Sequence, residues 1–298
     1  MSSLDRRTFL GSGLAALAAR GASARVWTPA DEPELPAPKY RLAMNLELMF
    51  PRAMPYEKRL EAAADAGADA YGFWSHVGRN IDALLEVQQK RKLTCASITG
   101  APRTGNSSGL TETGKEQAFL DDLAAACAVA RKLGAKNLIT FVGRKRTDTP
   151  WEKQKEQIIA GLRKAAKIAE EFDVYVTLEP LNRIESPQMT MTLVGEAYEY
   201  ASAVDHPRIK VDFDIYHRAL GEGNIINTLE DGLKRGLVRF VEVGDVPGRK
   251  EPGSGETNYA NIFRVLRKRG FDGFVGMEHG TTRDPAFAWN RVKQLAGL

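Results

Sequence analysis

The chain has 298 residues, and its 42 Lys and Arg side chains only slightly outnumber its 38 Asp and Glu side chains, giving a formal net charge of +4. So small a basic excess does not indicate binding to nucleic acid. Hydrophobic residues make up 43% of the chain, which is enough for a large buried core. The two cysteines, Cys95 and Cys127, are too few for a disulfide-rich scaffold, and the sequence leaves open whether they pair.

The first 24 residues have the pattern of a twin-arginine signal peptide. Residues 5–10 read DRRTFL, residues 11–19 form a run of small, weakly apolar residues, and residues 22–24 offer an A-x-A cleavage site. The run is too short to span a membrane comfortably. We therefore expect export, and a periplasmic or secreted protein that has no stable membrane insertion after signal removal. Its net charge would be about +2, from 39 basic and 37 acidic side chains.

Residues 25–38 are rich in proline and acidic residues, which predicts a linker or an extended arm. Beyond them, short apolar segments alternate with amphipathic helical patterns. The apolar segments are often β-branched, as is typical of strands that are buried on both faces. The predicted strands are Arg41–Leu48, Ala70–Trp74, Leu93–Ile98, Asn137–Val142, Val174–Leu178, Ile209–Phe213, Val238–Val243 and Phe274–Met277.

Eight strands that alternate with helices form either a closed barrel or an open, doubly wound sheet. The glycine-rich motifs that mark the open-sheet nucleotide-binding folds follow none of these strands. The length of residues 39–298 also suits one barrel. The predicted fold class is therefore α/β, with a single (β/α)8 TIM barrel over residues 39–298.

Each of the last four predicted strands ends in a carboxylate. These are Glu179, Asp214, Glu242 and Glu278, and each precedes a helical segment. In a closed barrel such strand ends meet at one mouth, where the active site lies. Carboxylates that crowd together away from water need a cation to balance them. The pattern therefore predicts a site for one hard divalent metal ion.

Four motifs in chain order resemble the hydroxypyruvate isomerase family of the xylose isomerase-like barrel superfamily. They are EPLN at residues 179–182, DIYH at 214–217, DVPGRKEPGSGETNY at 245–259 and VGME at 275–278. The E-x-x-N-x-x-E spacing that ends at Glu185 also resembles the ketose 3-epimerases of the same superfamily. The resemblance implies a metal-dependent isomerase or epimerase that acts on a small sugar or keto-acid.

The resemblance also assigns roles to individual residues. It implies that Glu179 and Glu278 form the catalytic acid/base pair and also bind the metal together with Asp214 and Glu242. It further implies a set of substrate-binding residues, which comprises Glu185, His217, Arg249, Asn45 and Glu256.

Three positions depart from the family pattern. Glu242 stands where the third metal ligand is usually His or Gln, Phe240 stands where the isomerases often have His, and Gly72 stands where Glu is often found. An all-carboxylate ligand set favours a hard ion, Mg²⁺ or Mn²⁺, over Zn²⁺. Two aspartates leave alternatives open. Asp214 could be a helix N-cap instead of a metal ligand, and Asp212, which lies two residues before it, could be a neighbour of the site rather than a ligand.

The residues allow more than one chemistry. A carboxylate base and an ion that stabilises an enediolate suit aldose–ketose isomerisation or epimerisation, but also a lyase or dehydratase that acts on keto-sugars or inososes. A secreted sugar-binding barrel without activity is a further alternative. A three-zinc endonuclease requires many histidines, and this chain has four. We expect a small-molecule partner and no nucleic acid; the natural substrate, the metal identity and a homo-oligomeric state are left open.

Overall fold

Eight parallel strands close into a barrel in the order β1 to β8, with β8 paired to β1. The protein is represented by a computed structural model, which describes residues 35–102 and 109–298. The closed barrel confirms the predicted fold class. The strands are β1 (Arg41–Asn45), β2 (Ala70–Phe73), β3 (Thr94–Thr99), β4 (Asn137–Thr140), β5 (Tyr175–Leu178), β6 (Ile209–Asp214), β7 (Val238–Val243) and β8 (Phe274–Met277).

Helices lie between the strands, and a short 3-10 turn at Gly109–Thr111 precedes the third of them. Glycine or a residue with positive φ ends several of these helices, as at Gly134 and Gly297. The helices are α1 (Tyr56–Asp65), α2 (Ile81–Arg91), α3 (Glu116–Leu133), α4 (Trp151–Glu171), α5 (Val194–Val204), α6 (Ile215–Gly221), α7 (Ile225–Lys234), α8 (Tyr259–Lys268) and α9 (Pro285–Ala296).

Alternate residues of each strand face opposite sides of the barrel wall. On β6, Val211 and Phe213 pack in the main core, while Asp212 and Asp214 have the opposite phase and are also buried. The last inward-facing side chains of these four strands therefore lie at the mouth of the barrel, where the carboxyl ends of the strands meet. This alternation brings the predicted carboxylates together.

A separate small cluster fills the barrel interior. It contains Phe240 with Ala43, Ala70, Ala96 and Ile139. Small residues on three strands leave room for the one large ring, as is usual for the packed interior of such a barrel. Packing thus explains why Phe240 differs from the family pattern, because its ring fills the interior beneath the mouth.

The departure at Gly72 also has a packing reason. A Cβ atom at this position would lie 2.5 Å from Ser97 Oγ, on the neighbouring strand. The pairing of β2 with β3 shifts register between Tyr71 and Gly72. A side chain at position 72 would therefore require Ser97 to shift, which glycine avoids.

Two predicted strands extend two or more residues past the end of the observed strand, whereas the other boundaries agree to within one residue. We expected β1 to reach Leu48, but it ends at Asn45, whose side-chain oxygen accepts a hydrogen bond from the Glu47 backbone at 2.8 Å and so begins a turn. We expected β4 to reach Val142, and it ends at Thr140. Local side-chain hydrogen bonds of this kind compete with strand pairing.

Residues 35–40 have no helix or strand, and the Arg267 side chain donates hydrogen bonds to the carbonyls of Leu35 and Pro36. Cys95 and Cys127 are both buried and free. Among the described residues, no helix combines the length and apolar character needed to cross a membrane. The predicted signal peptide at 1–24 and most of the predicted arm at 25–38 lie outside the described residues.

Candidate active site and metal centre

A cavity of about 570 Å³ opens where the strands end. This is the mouth at which TIM barrels bind their substrates. Among the predicted site residues, the cavity wall includes both members of the acid/base pair and three of the substrate-binding set. The residues that line it are Trp74, Ser75, Val77, Thr99, Ile139, Phe141, Glu179, Leu181, Glu185, Ser186, His217, Arg249 and Glu278.

The four predicted metal ligands meet beside this cavity. One oxygen from each of Glu179, Asp214, Glu242 and Glu278 lies within 4.8 Å of the corresponding oxygens of the other three. All four side chains are at most 5% exposed. The pairing of β6 with β7 sets Asp214 directly opposite Glu242. The structure thus brings together the four carboxylates that the sequence placed at separate strand ends.

Burial and mutual repulsion disfavour the charged form of these carboxyls. Burial, followed by the charges of neighbouring acids, raises the pKa of Glu179 and that of Glu242 well above the ordinary glutamate value. Glu242 Oε2 accepts no hydrogen bond from any described residue. Both Asp212 oxygens, one layer deeper in the barrel, likewise have no donor among the residues described. A bound cation removes this conflict, so the donor set fits a hard divalent ion.

Asp214 has two functions in the structure, one for each oxygen. Its Oδ1 caps helix α6 by accepting hydrogen bonds from the backbone of Tyr216 at 2.7 Å and of His217 at 3.3 Å. Its Oδ2 faces the site and accepts a hydrogen bond from Arg249 Nη2 at 3.0 Å. Asp214 can therefore serve both as a helix N-cap and as a metal ligand, because the cap orients its second oxygen toward the cavity.

Arg249 is the cation of the site. Its Nη2 donates to Asp214 and to Glu278 Oε2, and its Nε donates to the Glu278 carbonyl at 3.1 Å. Burial opposes its charge, but the surrounding carboxylates outweigh burial and raise the pKa of Arg249. The guanidinium also lies over the Tyr216 ring, 4.6 Å from its centroid. Arg249 is thus held at the edge of the carboxylate cluster.

The loop that presents Arg249 is organised around the buried carboxylate of Asp245. Asp245 accepts backbone hydrogen bonds from Val246 and Thr257 on one oxygen, and from Gly253 and Gly255 on the other, at 2.8 to 3.1 Å. Arg249 itself has φ of 50°, a conformation that a non-glycine residue adopts only when its surroundings hold it. Our sequence analysis did not single out Asp245, although it opens the DVPGR motif.

His217 is buried beside the carboxylates as a neutral donor. The Asn182 backbone N–H donates to its Nδ1 at 3.2 Å, so the ring proton lies on Nε2. Nε2 lies 3.5 Å from both Glu179 Oε1 and Asp214 Oδ2. Burial lowers the pKa of His217 to about 4, which keeps the ring uncharged. His217 therefore directs an N–H group into the site.

Glu185 lies at the outer side of the same network. Its carboxylate accepts hydrogen bonds from Tyr216 Oη at 2.6 Å and from Asn182 Nδ2 at 2.9 Å. Burial opposes its ionisation, but these two hydrogen bonds outweigh burial and lower the pKa of Glu185. Glu185 thus offers an ionised acceptor on the cavity wall.

Trp74 contacts Glu278 of the acid/base pair directly, and sequence reasoning missed this. Its indole Nε1 donates a hydrogen bond to Glu278 Oε1. The ring also lines the cavity and remains 39% exposed. A usable signal was present, since Trp74 directly follows β2 and strand ends form the mouth.

Two predicted substrate-binding residues do not line this cavity. Asn45 is buried at the end of β1, where its side chain accepts a hydrogen bond from Glu47. Glu256 is exposed and lines a different surface depression, beside Asn224 and Asn258. Asn45 nevertheless lies close to the site in the barrel wall, because Met44 pairs with Met277, the residue before Glu278.

The comparison with known families supports the same interpretation. The profile of the xylose isomerase-like TIM barrel family matches residues 60–294. The chain belongs to this family. The resemblance inferred from the sequence motifs is thereby confirmed.

One relative is hydroxypyruvate isomerase of Escherichia coli K12, which is 28% identical over 254 residues, covering 84% of this chain and 97% of the relative. The barrel also resembles a crystal structure titled AP endonuclease, family 2, from Brucella melitensis (TM-score 0.79, 26% identity, 86% of this chain and 98% of the other). At 18% identity, D-allulose 3-epimerase from Methylomonas sp. shares the fold (TM-score 0.70, covering 88% and 99%).

Proposed function

We propose that the protein is a metal-dependent isomerase or epimerase that acts on a small sugar or keto-acid by proton transfer between carbon atoms. The observation that carries this proposal is the placement of Glu179 and Glu278 together in one carboxylate cluster on the wall of a substrate-sized cavity. The hydroxypyruvate isomerase and ketose epimerase relatives support the reaction class.

The metal would be held by Glu179, Asp214, Glu242 and Glu278. When bound, a divalent ion supplies Lewis-acid polarisation of a carbonyl group and stabilises the negative charge that develops on its oxygen. An all-oxygen donor set suits Mg²⁺ or Mn²⁺ better than softer ions.

The chemical step assigned to this chain is a pair of proton transfers. A carboxylate of the pair removes the proton from the carbon next to the substrate carbonyl, and the C–H electrons form the carbon–carbon double bond of an enediolate. The second carboxyl group then returns a proton. Return to the former carbonyl carbon, with a proton passing from the neighbouring hydroxyl oxygen to the former carbonyl oxygen, interconverts aldose and ketose. Return to the opposite face of the same carbon restores the carbonyl and gives the epimer.

Other side chains would position the substrate. His217 directs its Nε2–H toward the site, Arg249 directs its guanidinium there, and Glu185 offers an acceptor for a hydroxyl group. Trp74 holds one oxygen of Glu278 through a hydrogen bond, which leaves its second oxygen to Arg249. These contacts keep the acid/base pair in a fixed orientation before substrate arrives.

A histidine-rich nuclease site is not supported. The Brucella protein is named as an AP endonuclease of family 2, but the two candidate metal clusters of the described residues are built mainly of carboxylates and include His217 alone among the histidines. A hard-ion site with acid/base glutamates suits carbon acids better than phosphodiesters that require several zinc ions.

Export through the twin-arginine pathway is part of the proposal. Replacing Arg6 and Arg7 together with Lys is expected to prevent export in a host with this pathway. Mass spectrometry of exported wild-type protein should give a mature N-terminus near Arg25, whereas an intact terminus at Met1 or Ser2 in periplasmic protein would contradict the assignment.

The reaction is tested by incubating the protein with Mg²⁺ or Mn²⁺ in D₂O together with a panel of ketoses and hydroxypyruvate. We expect one or more of them to gain carbon-bound deuterium next to the carbonyl, together with an isomeric product. Elemental analysis should find about one divalent ion per chain. No exchange with any substrate, in protein that is shown to bind the ion, would contradict the proposed reaction.

A further inference from the structure

The cavity has two chemically different ends. Glu179, Glu278, Arg249 and His217 form a polar end beside the carboxylate cluster. The rest of the wall is largely apolar, with hydroxyl-bearing residues between the apolar ones. This second end is formed by Trp74, Val77, Phe141 and Leu181, with Ser75, Thr99 and Ser186 between them, whereas Ile139 belongs to the interior cluster around Phe240.

The apolar end continues onto the surface around the mouth. Four large hydrophobic side chains of the described residues are exposed, and two of them, Trp74 at 39% and Val77 at 37%, line the cavity. Exposed apolar groups that gather in one place usually mark a binding surface. The surface at the mouth is continuous with the cavity wall.

The size of the cavity exceeds what a three-carbon acid requires. Its volume of about 570 Å³ lies in the range of roughly 300 to 1,000 Å³ that is typical of sites for drug-sized ligands. The reacting carbons must lie next to Glu179 and Glu278 at the polar end. The remainder of a substrate that fills the cavity therefore contacts Trp74 and Phe141.

The charges at the polar end do not favour an anionic substrate. Arg249 is the only Lys or Arg side chain that lines the cavity among residues 35–102 and 109–298, and its guanidinium is engaged by Asp214 and Glu278. The Glu185 carboxylate also lines the wall and would repel an anionic substrate.

We propose that the substrate is an uncharged ketose that carries a second sugar ring, and that Trp74 and Phe141 bind this second ring. The inference rests on the proposed function, because it places the reacting ketose carbons beside Glu179 and Glu278. Sugar rings present C–H groups that pack on aromatic faces, while their hydroxyls suit Ser75, Thr99 and Ser186. Trp74 is the specificity-determining residue, since it spans both ends of the cavity.

The test compares four probes on the ion-loaded protein by isothermal titration calorimetry. D-Fructose is the single-ring ketose, isomaltulose and lactulose carry a second ring on a fructose unit whose first three carbons are free, and hydroxypyruvate is the charged probe. We expect at least one ketodisaccharide to bind tenfold or more tightly than D-fructose. We expect hydroxypyruvate to bind more weakly than that disaccharide.

Two variants locate the effect. Trp74→Ala should reduce the preference for the disaccharide over D-fructose to within about twofold, and Phe141→Ala should reduce it in part. Leu298→Ala is the control, because Leu298 is also an exposed large hydrophobic residue but lies away from this cavity. It should keep the wild-type preference.

The outcomes separate this inference from the proposed reaction. Equal affinity for D-fructose and both disaccharides, tighter binding of hydroxypyruvate, or no binding of any sugar overturns the substrate class. A preference for the disaccharide that survives in Trp74→Ala overturns the assigned surface. Disaccharide binding with the expected preference but without deuterium exchange in D₂O supports the substrate class and contradicts the proton-transfer reaction instead.

Discussion

Asn182 fixes the protonation of His217: its backbone N–H donates to His217 Nδ1 at 3.2 Å, and its side-chain amide lies 2.7 Å from the same atom. The proton of the neutral ring is therefore on Nε2, which lies 3.5 Å from Glu179 and Asp214. The Asn182 amide also donates to Glu185. Asn182 thus orders both a donor, His217, and an acceptor, Glu185, on the cavity wall.

The first prediction concerns this positioning residue. Asn182→Ala removes the amide contacts with His217 and Glu185 but leaves the carboxylate cluster in place. We expect kcat to fall by about tenfold or more, with ion binding retained, because misplaced contacts reduce the population of reactive geometries. Nitrogen NMR of His217 should still show the proton on Nε2, because the backbone N–H of residue 182 remains in Asn182→Ala. Asn227→Ala, on the exposed face of α7, is the matched control and should behave like wild type.

A second prediction concerns Asp245, which supports the loop that carries Arg249. Asp245→Ala leaves one buried and three partly buried backbone N–H groups without their acceptor, and we expect a loss of about 2 kcal/mol or more in unfolding free energy. Activity should fall further than stability alone explains, because Arg249 loses its position. Asp245→Asn should not rescue either property, since its amide nitrogen cannot accept the hydrogen bonds that the second oxygen receives. Full activity in Asp245→Asn would count against this role.

The fold was predictable because its signal is repeated along the chain. Strands buried on both faces read as short apolar runs, and amphipathic segments between them indicate helices that cover the barrel. The convergence of Glu179, Asp214, Glu242 and Glu278 followed from this alternation, since the carboxyl ends of parallel strands meet at one mouth.

Side chains in the loops were harder to place. Asn45 and Glu256 matched family positions, but neither lines the cavity, because a turn engages Asn45 and Glu256 points to the surface. Conversely, Trp74 and Asp245 contribute to the site without having been assigned to it. The directions of such side chains depend on loop geometry and on contacts between distant residues, which strand and helix periodicity does not encode.

A third prediction concerns Glu242 and the choice of metal. Glu242→His replaces a carboxylate by a neutral, softer ligand of the type more common in the family. We expect ion binding to survive and the preference to move from Mg²⁺ toward Zn²⁺ or Co²⁺. Calorimetric titration of ion-free protein with each ion measures this preference. An unchanged order of affinities would indicate that Glu242 is not a ligand.

A fourth prediction concerns stability and pH. Burial lowers the pKa of His279 to about 4, below the ordinary value of 6.5, so the unfolded state binds a proton more readily. The stabilisation that the neutral ring provides is therefore complete above pH 6.5 and is lost as the pH falls toward 4. His279→Gln cannot titrate, and we expect its unfolding free energy to fall less between pH 7 and pH 5, by about 1 to 2 kcal/mol.

The comparison must be a difference between the variant and the wild type in ion-free buffer. Glu179 and Glu242 have raised pKa values, so their protonation on acidification stabilises the fold and opposes the effect of His279. Both proteins share those carboxyls, and the difference isolates the histidine. Parallel pH profiles for the two proteins would refute the assignment to His279.

The central claim is that Glu179 and Glu278 share proton transfer at carbon. The most direct measurement is the rate of deuterium incorporation from D₂O into the substrate carbon next to the carbonyl, for wild type, Glu179→Gln and Glu278→Gln. Each protein is measured at an ion concentration that saturates it. We expect each variant to lose roughly 10²-fold or more of the wild-type rate while still binding substrate. Near-wild-type exchange in both variants would contradict the account.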